Sequence, residues 1–223
     1  MSSSPSIIPF KCILFDMDGI LVSSIEAVER SWAKWAARRG FDGSIVRRLS
    51  HGRRAIDTIA ALCPECDIEA ELKAIEDIEA EDNDGLRVLP GVCDLLAKLP
   101  RDCWTVVTSA TERLARVRLA AGGIPVPARL VTAEYVTHGK PHPEPFLAGA
   151  ALLGVAPTSC VVFEDSAAGA EAGRAAGCTV VATTFSHPAE KLDAAHYVVR
   201  DLTRVSVETS GHGLALRLRP TGL

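Results

Sequence analysis

Four stretches of this chain place acids, hydroxyls and a lysine where chemistry could collect. Asp16 and Asp18 follow directly on the apolar run Cys12-Ile13-Leu14-Phe15 and precede Gly19. Carboxylates are costly to bury unless paired or metal-bound. Side chains two apart on an extended chain point the same way, so both acids can face one crevice, and Gly19 lets the chain turn sharply behind them. Thr108-Ser109-Ala110-Thr111 follows the apolar Thr105-Val106-Val107. Hydroxyls and free amides at a helix start suit a phosphate, although Ser109 or Thr111 would serve equally as a plain helix cap. Gly139-Lys140-Pro141-His142-Pro143-Glu144-Pro145 sets one lysine among three prolines that fix the backbone. This is either a rigid anion-binding loop or an ordinary surface turn. Finally, Val161-Val162-Phe163 runs into Glu164-Asp165-Ser166, again two acids after an apolar run, or else an acidic helix start. If the four stretches converge, the hard oxygen donors favour Mg2+, which takes one or two carboxylates and completes its shell with substrate phosphate oxygens. A carboxylate facing phosphorus can act as nucleophile through an aspartyl-phosphate, and a second acid can protonate the leaving oxygen.

The elements that must position these groups are legible in the same residues. Short apolar runs bounded by turn signals read as buried strands: Cys12–Phe15, Cys103–Val107, Arg129–Val131, Ser159–Phe163, Cys178–Thr183 and Tyr197–Val199. Between them lie helices over Val92–Leu99, Glu112–Ala121, Pro145–Leu153 and Ala167–Ala176. Such alternation predicts an α/β fold, a doubly wound parallel sheet with ligands at the strands' carboxyl ends. The stretch after Ser23 differs. Ala27, Trp32, Trp35 and Ala36 recur at helical spacing up to Gly40, a second helix spans Arg54–Leu62 and a third spans Ile68–Glu81. We read 23–87 as an inserted helical-bundle cap and 1–22 with 88–223 as the core. A terminal hairpin over Arg204–Leu218, turning at Ser210-Gly211-His212-Gly213, is expected to extend or shield a sheet edge.

Composition narrows the class. The 223 residues are 48% hydrophobic, enough for a core, with a net charge of −4 and no basic block, which argues against nucleic acid as a partner. No apolar run has the length of a membrane span. The leader Met1–Ser6 is no secretory signal and reads as a disordered tip. Seven scattered cysteines suit reduced, buried thiols in a cytoplasmic protein. The lone pair Cys63-Pro64-Glu65-Cys66 reads as a helix turn rather than a redox or zinc site.

The motifs Asp16-Met17-Asp18-Gly19, Thr108-Ser109-Ala110, Gly139-Lys140-Pro141 and Phe163-Glu164-Asp165-Ser166, with Gly169, Gly173 and Gly177 behind the last, resemble in order and spacing those of the haloacid dehalogenase (HAD) superfamily. The helical insertion resembles the cap of its β-phosphoglucomutase-like branch. Ala27–Trp32 and His51-Gly52-Arg53 are most similar to small sugar-phosphate phosphatases of the deoxyglucose-6-phosphate type. The resemblance implies that Asp16 attacks phosphorus, and that Asp18 protonates the leaving oxygen and then activates water. It implies that Mg2+ is held by Asp16, the Asp18 carbonyl and Asp165, with Glu164 adjusting its water. Ser109 and the Ala110 amide would hold the phosphate (Thr108 if the register shifts by one), Lys140 would neutralise charge, and Gly52 and Arg53 would read the substrate.

The chain departs from the family pattern at Ile20, where Thr is commoner, at Ser23, where many members have Asp, and at Val28, where β-phosphoglucomutases carry His. The last favours hydrolysis over phosphosugar mutase chemistry. The expected activity is therefore an Mg-dependent phosphatase for a small sugar or polyol phosphate. A mutase, or a phosphatase for another small ester such as glycerol phosphate or phosphoglycolate, is the alternative. A dehalogenase would not need Asp18 or Glu164-Asp165, and a non-catalytic binding module would be expected to have lost a motif.

Overall fold

A computed structural model describes residues 5–50, 53–82, 84–210 and 213–219. In chain order the elements begin with strands β1 (Ser6–Phe10), β2 (Cys12–Phe15) and β3 (Val22–Ser23). Helices α1 (Ile25–Arg39), α2 (Gly43–Ser50), α3 (Ala55–Leu62) and α4 (Ile68–Glu81) come next. Then follow β4 (Arg87–Val88), α5 (Val92–Leu96), β5 (Trp104–Val106), α6 (Glu112–Ala121), α7 (Glu144–Leu152), β6 (Cys160–Glu164), α8 (Ala167–Ala175), β7 (Thr179–Thr183), β8 (Tyr197–Val199), β9 (Val205–Ser210) and β10 (Gly213–Leu218).

The mixed α/β core is a five-stranded parallel sheet in the order β5-β2-β6-β7-β8. Every residue of β2 and β6 is buried, as expected for strands with helices on both faces. Phe15 lies opposite Phe163 in the ladder and the two rings stack at 5.3 Å. That register brings the next residues of both strands, Asp16 and Glu164, to the same end of the sheet. The reversal of strand order between β5 and β6 around β2 makes this end a crevice.

Helices α1–α4 enclose a second apolar cluster of Trp32, Trp35, Ala36, Val46, Ile59, Ile75 and Ile78. The Trp35 indole donates to Glu71 at 2.9 Å, so its polar edge is not left unpaired in that core. Helix α1 stops at Gly40, which takes φ 72° and returns its N–H to Ala36 and Ala37. The chain enters and leaves this segment through one short antiparallel ladder, Val22 opposite Val88 and Ser23 opposite Arg87.

Several expectations need correction. Ser6 is no part of a loose tip: it opens β1, whose partner is β10. The terminal hairpin does not extend the parallel sheet but forms a separate antiparallel one in the order β1-β10-β9, with Leu216 and Leu218 in the main core. Two residues of its turn, Gly211 and His212, lie outside the described residues. The expected strand Arg129–Val131 reduces to a single bridge between Val107 and Val131. Helix α2 was not foreseen. Cys63 and Cys66 are joined by a disulfide where α3 gives way to α4, rather than reduced. Cys12, Cys103, Cys160 and Cys178 are free and buried as expected.

Candidate active site

The carboxyl ends of β2, β5 and β6, together with the Lys140 loop, floor a cavity of about 470 Å³ roofed by α1, α3 and α4. Asp16, Asp18, Thr108, Ser109, Ala110, Lys140, Asp165 and Arg53 all line it. Gly52 lies outside the described residues. Glu164 is fully buried just beneath.

Lys140 ties the floor together. Its Nζ donates to Asp16 Oδ1 at 2.8 Å, to Glu164 Oε1 at 2.6 Å and to the Val107 carbonyl at 3.3 Å, and it sits 5.2 Å from the Phe146 ring centre. Burial alone would lower its pKa, but the two carboxylates raise it above the ordinary range, so the ammonium is charged. The other oxygen of Glu164 accepts from the amides of Asp165 and Ser166 and from the Ser166 hydroxyl, each at 2.9 Å. Ser166 in turn caps α8. Two glycines exist for these acids: a Cβ on Gly169 would overlap the Glu164 carboxylate, and one on Gly19, at φ 86°, would overlap that of Asp165.

Asp16, Glu164 and Asp165 each bring one carboxylate oxygen within 4.8 Å of the others. Three acids facing one lysine leave an excess of negative charge. Burial, with Glu164 adding to it against the pull of Lys140, pushes Asp16 up to about 7. Burial and then the neighbouring Glu164 and Asp16 carry Asp165 well above its usual range. An all-oxygen, overcharged, water-poor cluster is the donor chemistry that a hard divalent cation fits.

The Asp18 carboxylate is not part of this cluster. It accepts from Arg118 Nη1 at 3.1 Å and from the Ser24 hydroxyl. Ser24 occupies the N-cap position of α1 but spends its hydroxyl on Asp18 instead of on the helix. Arg118, 6% exposed, also reaches Glu79 of α4 at 3.5 Å. Burial pushes Glu79 up to about 7, with Arg118 pulling it down and Asp18 pushing it further up. In the Thr108–Thr111 stretch, Thr111 is the cap of α6 and also hydrogen-bonds Glu76 of α4. Thr108 Oγ1 accepts from the Ala110 amide at 3.1 Å, so that amide is already partnered. Ile20 is buried, Ser23 is buried in β3, and Val28 lines the cavity.

Sequence reasoning missed Ser24, described above, and three further residues. Arg118 had a visible signal, a charge on the apolar stripe of Leu114, Ala115 and Leu119. Arg54 had almost none. Its guanidinium forks onto Asp57 at 2.8 and 2.7 Å and donates across to the carbonyls of Val136 at 2.8 Å and Thr137 at 2.9 Å, just ahead of the Lys140 loop. Ser186, whose hydroxyl donates to Asp165, gave no signal.

The family profile described as haloacid dehalogenase-like hydrolase matches residues 10–177. The chain belongs to that family. It is 41% identical over 208 residues to hexitol phosphatase A of Escherichia coli (strain K12), covering 91% of this chain and 96% of that one. It is 32% identical over 231 residues to 2-deoxyglucose-6-phosphate phosphatase 1 of Saccharomyces cerevisiae, covering 92% and 94%. Among solved structures, β-phosphoglucomutase from Clostridium difficile superposes with a TM-score of 0.77 at 22% identity, covering 88% of this chain and 93% of that one, a likeness of fold. This member of the family is a phosphoric monoester hydrolase. Among the described residues no helix is long and apolar enough to cross a membrane.

Proposed function

We propose that this hydrolase is a cytoplasmic Mg2+-dependent phosphatase for a small sugar or polyol phosphate, acting through an aspartyl-phosphate on Asp16. The observation that carries the reading is Asp16 at the cavity floor, 2.8 Å from the Lys140 ammonium and within a cluster of three acids. The ammonium keeps Asp16 oriented and offsets charge as the phosphoryl group arrives, a positioning and electrostatic role of the kind phosphoryl transfer demands. Asp16, Asp165 and the Asp18 carbonyl would hold the ion, with Glu164 set behind them. Bound there, magnesium would neutralise phosphate charge.

Ser109 would hold the transferred phosphate, helped by the Ala110 amide once Thr108 releases it, and Thr108 itself is the nearest substitute. Asp18 lines the same cavity as Asp16 and would give its proton to the leaving oxygen, then take one from the water that hydrolyses the acyl phosphate. Arg118 and Ser24 hold it between those events. Residues 23–87 would act as the cap, excluding water when closed, with Arg53 and Gly52 reading the leaving group. The size of the cavity suits a small ester. The acids Glu29, Glu76 and Glu79 in its helical wall suit hydroxyl donors rather than a second phosphate, and the relatives named for hexitol and deoxyglucose phosphates support the same class.

The test is phosphate release from a panel of hexitol, hexose, deoxyhexose and glycerol phosphates, with and without Mg2+. Release from at least one polyol or sugar phosphate that needs Mg2+ and vanishes in Asp16→Asn is expected. Isomerisation without release, or release that survives Asp16→Asn, would overturn the reading.

A further inference from the structure

The loop that carries Lys140 has an outer face that the phosphatase chemistry does not use. There His138, His142 and Glu144 converge. The Nδ1 of His138 lies 2.9 Å from Glu144 Oε2, the Nδ1 of His142 lies 3.8 Å from the same oxygen, and one ligand atom from each residue falls within 4.8 Å of the others. The two imidazoles lean together with centroids 4.7 Å apart. Donors on a tetrahedral zinc ion, with bonds of about 2.0–2.1 Å, stand roughly 3.3 Å from one another. The two separations from Glu144 bracket that spacing and the two imidazole donors stand within 4.8 Å of each other, so rotation of the exposed imidazoles brings the three donors together.

We propose that His138, His142 and Glu144 form a second metal site, for a divalent transition ion such as zinc or copper. Donor chemistry separates it from the buried acids. Imidazole nitrogens suit zinc and copper, whereas an all-oxygen set suits magnesium. The site is also built in advance. Glu144 accepts from the backbone amides of Thr137 at 2.6 Å and His138 at 3.0 Å, which fixes its carboxylate and keeps it ionised below its usual range. The His142 amide closes a turn onto the Gly139 carbonyl at 3.0 Å, folding the second imidazole back over the first. The three side chains are 63%, 50% and 31% exposed, so an ion reaches them without opening the fold and keeps water in its remaining position. To bind, His138 exchanges its contact with Glu144 for the ion, and His142 gives up the Glu144 amide, 3.2 Å away.

The site does not depend on the phosphatase reading, and its test is a binding measurement. Zinc chloride is titrated calorimetrically into the whole protein in excess Mg2+. The wild type should bind one equivalent that H138Q/H142Q loses or binds about tenfold or more weakly, while Asp165→Asn retains it. Both histidines are exposed, so the variant should keep the wild-type circular dichroism. Zinc binding unchanged in H138Q/H142Q, binding lost in Asp165→Asn alone, or no binding in the wild type would overturn the proposal. A second readout needs no variant: electron paramagnetic resonance of the wild type with one equivalent of Cu2+ should show nitrogen coupling, and an oxygen-only spectrum would overturn it.

Discussion

The sheet side and the helical side of the cavity are held by opposite means. On the sheet side, Asp16 and Glu164 sit one step beyond or at the end of a backbone ladder, and the Phe15–Phe163 register sets their separation before any side chain is placed. Behind them is apolar core with no measurable exposure at Phe15 and Phe163. On the helical side the connections are side chains: Arg54 reaching from the start of α3 to backbone carbonyls of the core, Arg118 reaching from the core to Asp18 and to Glu79, and Thr111 and Arg113 of the core meeting Glu76 and Asp77 of α4. Ladder hydrogen bonds move only with the whole sheet, whereas a guanidinium fork lets go one bond at a time. The cap opening proposed above would therefore move the helical wall against a fixed reacting centre.

The largest effect that would sharpen this contrast is on the fixed side. Asp16→Asn should lower kcat by at least about three orders of magnitude in a steady-state phosphate assay while leaving thermal stability near wild type or higher, since it removes a buried charge. Asp18→Asn should cost about 10²–10⁴ in kcat, most with poor leaving groups and least with aryl phosphates. Arg118→Met should act on both sides. It strands Asp18 and Glu79, destabilising the fold by about 3–5 kcal/mol in urea unfolding, and adding Glu79→Gln should restore part of the loss.

Glu79 itself has a pH signature. Its folded value of about 7 lies above its ordinary 4.5. Between these values the folded chain holds a proton that the unfolded chain has released, so stability falls as pH rises through that window. Glu79→Gln should remove roughly 3 kcal/mol of that fall between pH 4.5 and 8. A pH–stability curve parallel to wild type would break the argument. The smallest effect belongs to Arg54→Lys, which keeps the charge but not the fork. It should reduce kcat/KM about tenfold and speed amide exchange in α3, with little change in the core strands. Equal acceleration in both regions would mean that the two sides are not separately held.

What was legible in the sequence follows the same division. Strands of a parallel sheet announce themselves as apolar runs, so Cys12–Phe15, buried throughout, and Tyr197–Val199, half-buried at the sheet edge, were placed to the residue, and acids after Phe15 and Phe163 pointed to the cluster at Asp16, Glu164 and Asp165. Helix α6 was bounded by Thr111 and the glycines at 122 and 123. Strand β1 was hidden because Pro9 and the serines before it read as loop. It tolerates the proline because it is an edge strand. Helix α2 is short and begins at a glycine, so periodicity had too little to work on. Arg54 was invisible for a different reason: its cross-lobe partners are carbonyl oxygens of Val136 and Thr137, and backbone atoms leave no trace in the residue alphabet. Asp18 was read as a neighbour of Asp16, and only the fold shows its carboxylate turned towards α6.

The short ladder of β3 and β4 has a mechanical corollary. Because both connections to the helical segment run side by side as a two-strand ribbon, the proposed opening of that segment would swing about the ribbon like a door, since sliding or unscrewing would shear its paired backbone. Gly122 stands against it, with Val22 and Val88 3.2 and 3.3 Å from where a Cβ would be. A methyl at that position would press on both strands of the ribbon, and on the proposed reading it would shift the angle at which the helical segment rests without touching any group that meets the substrate.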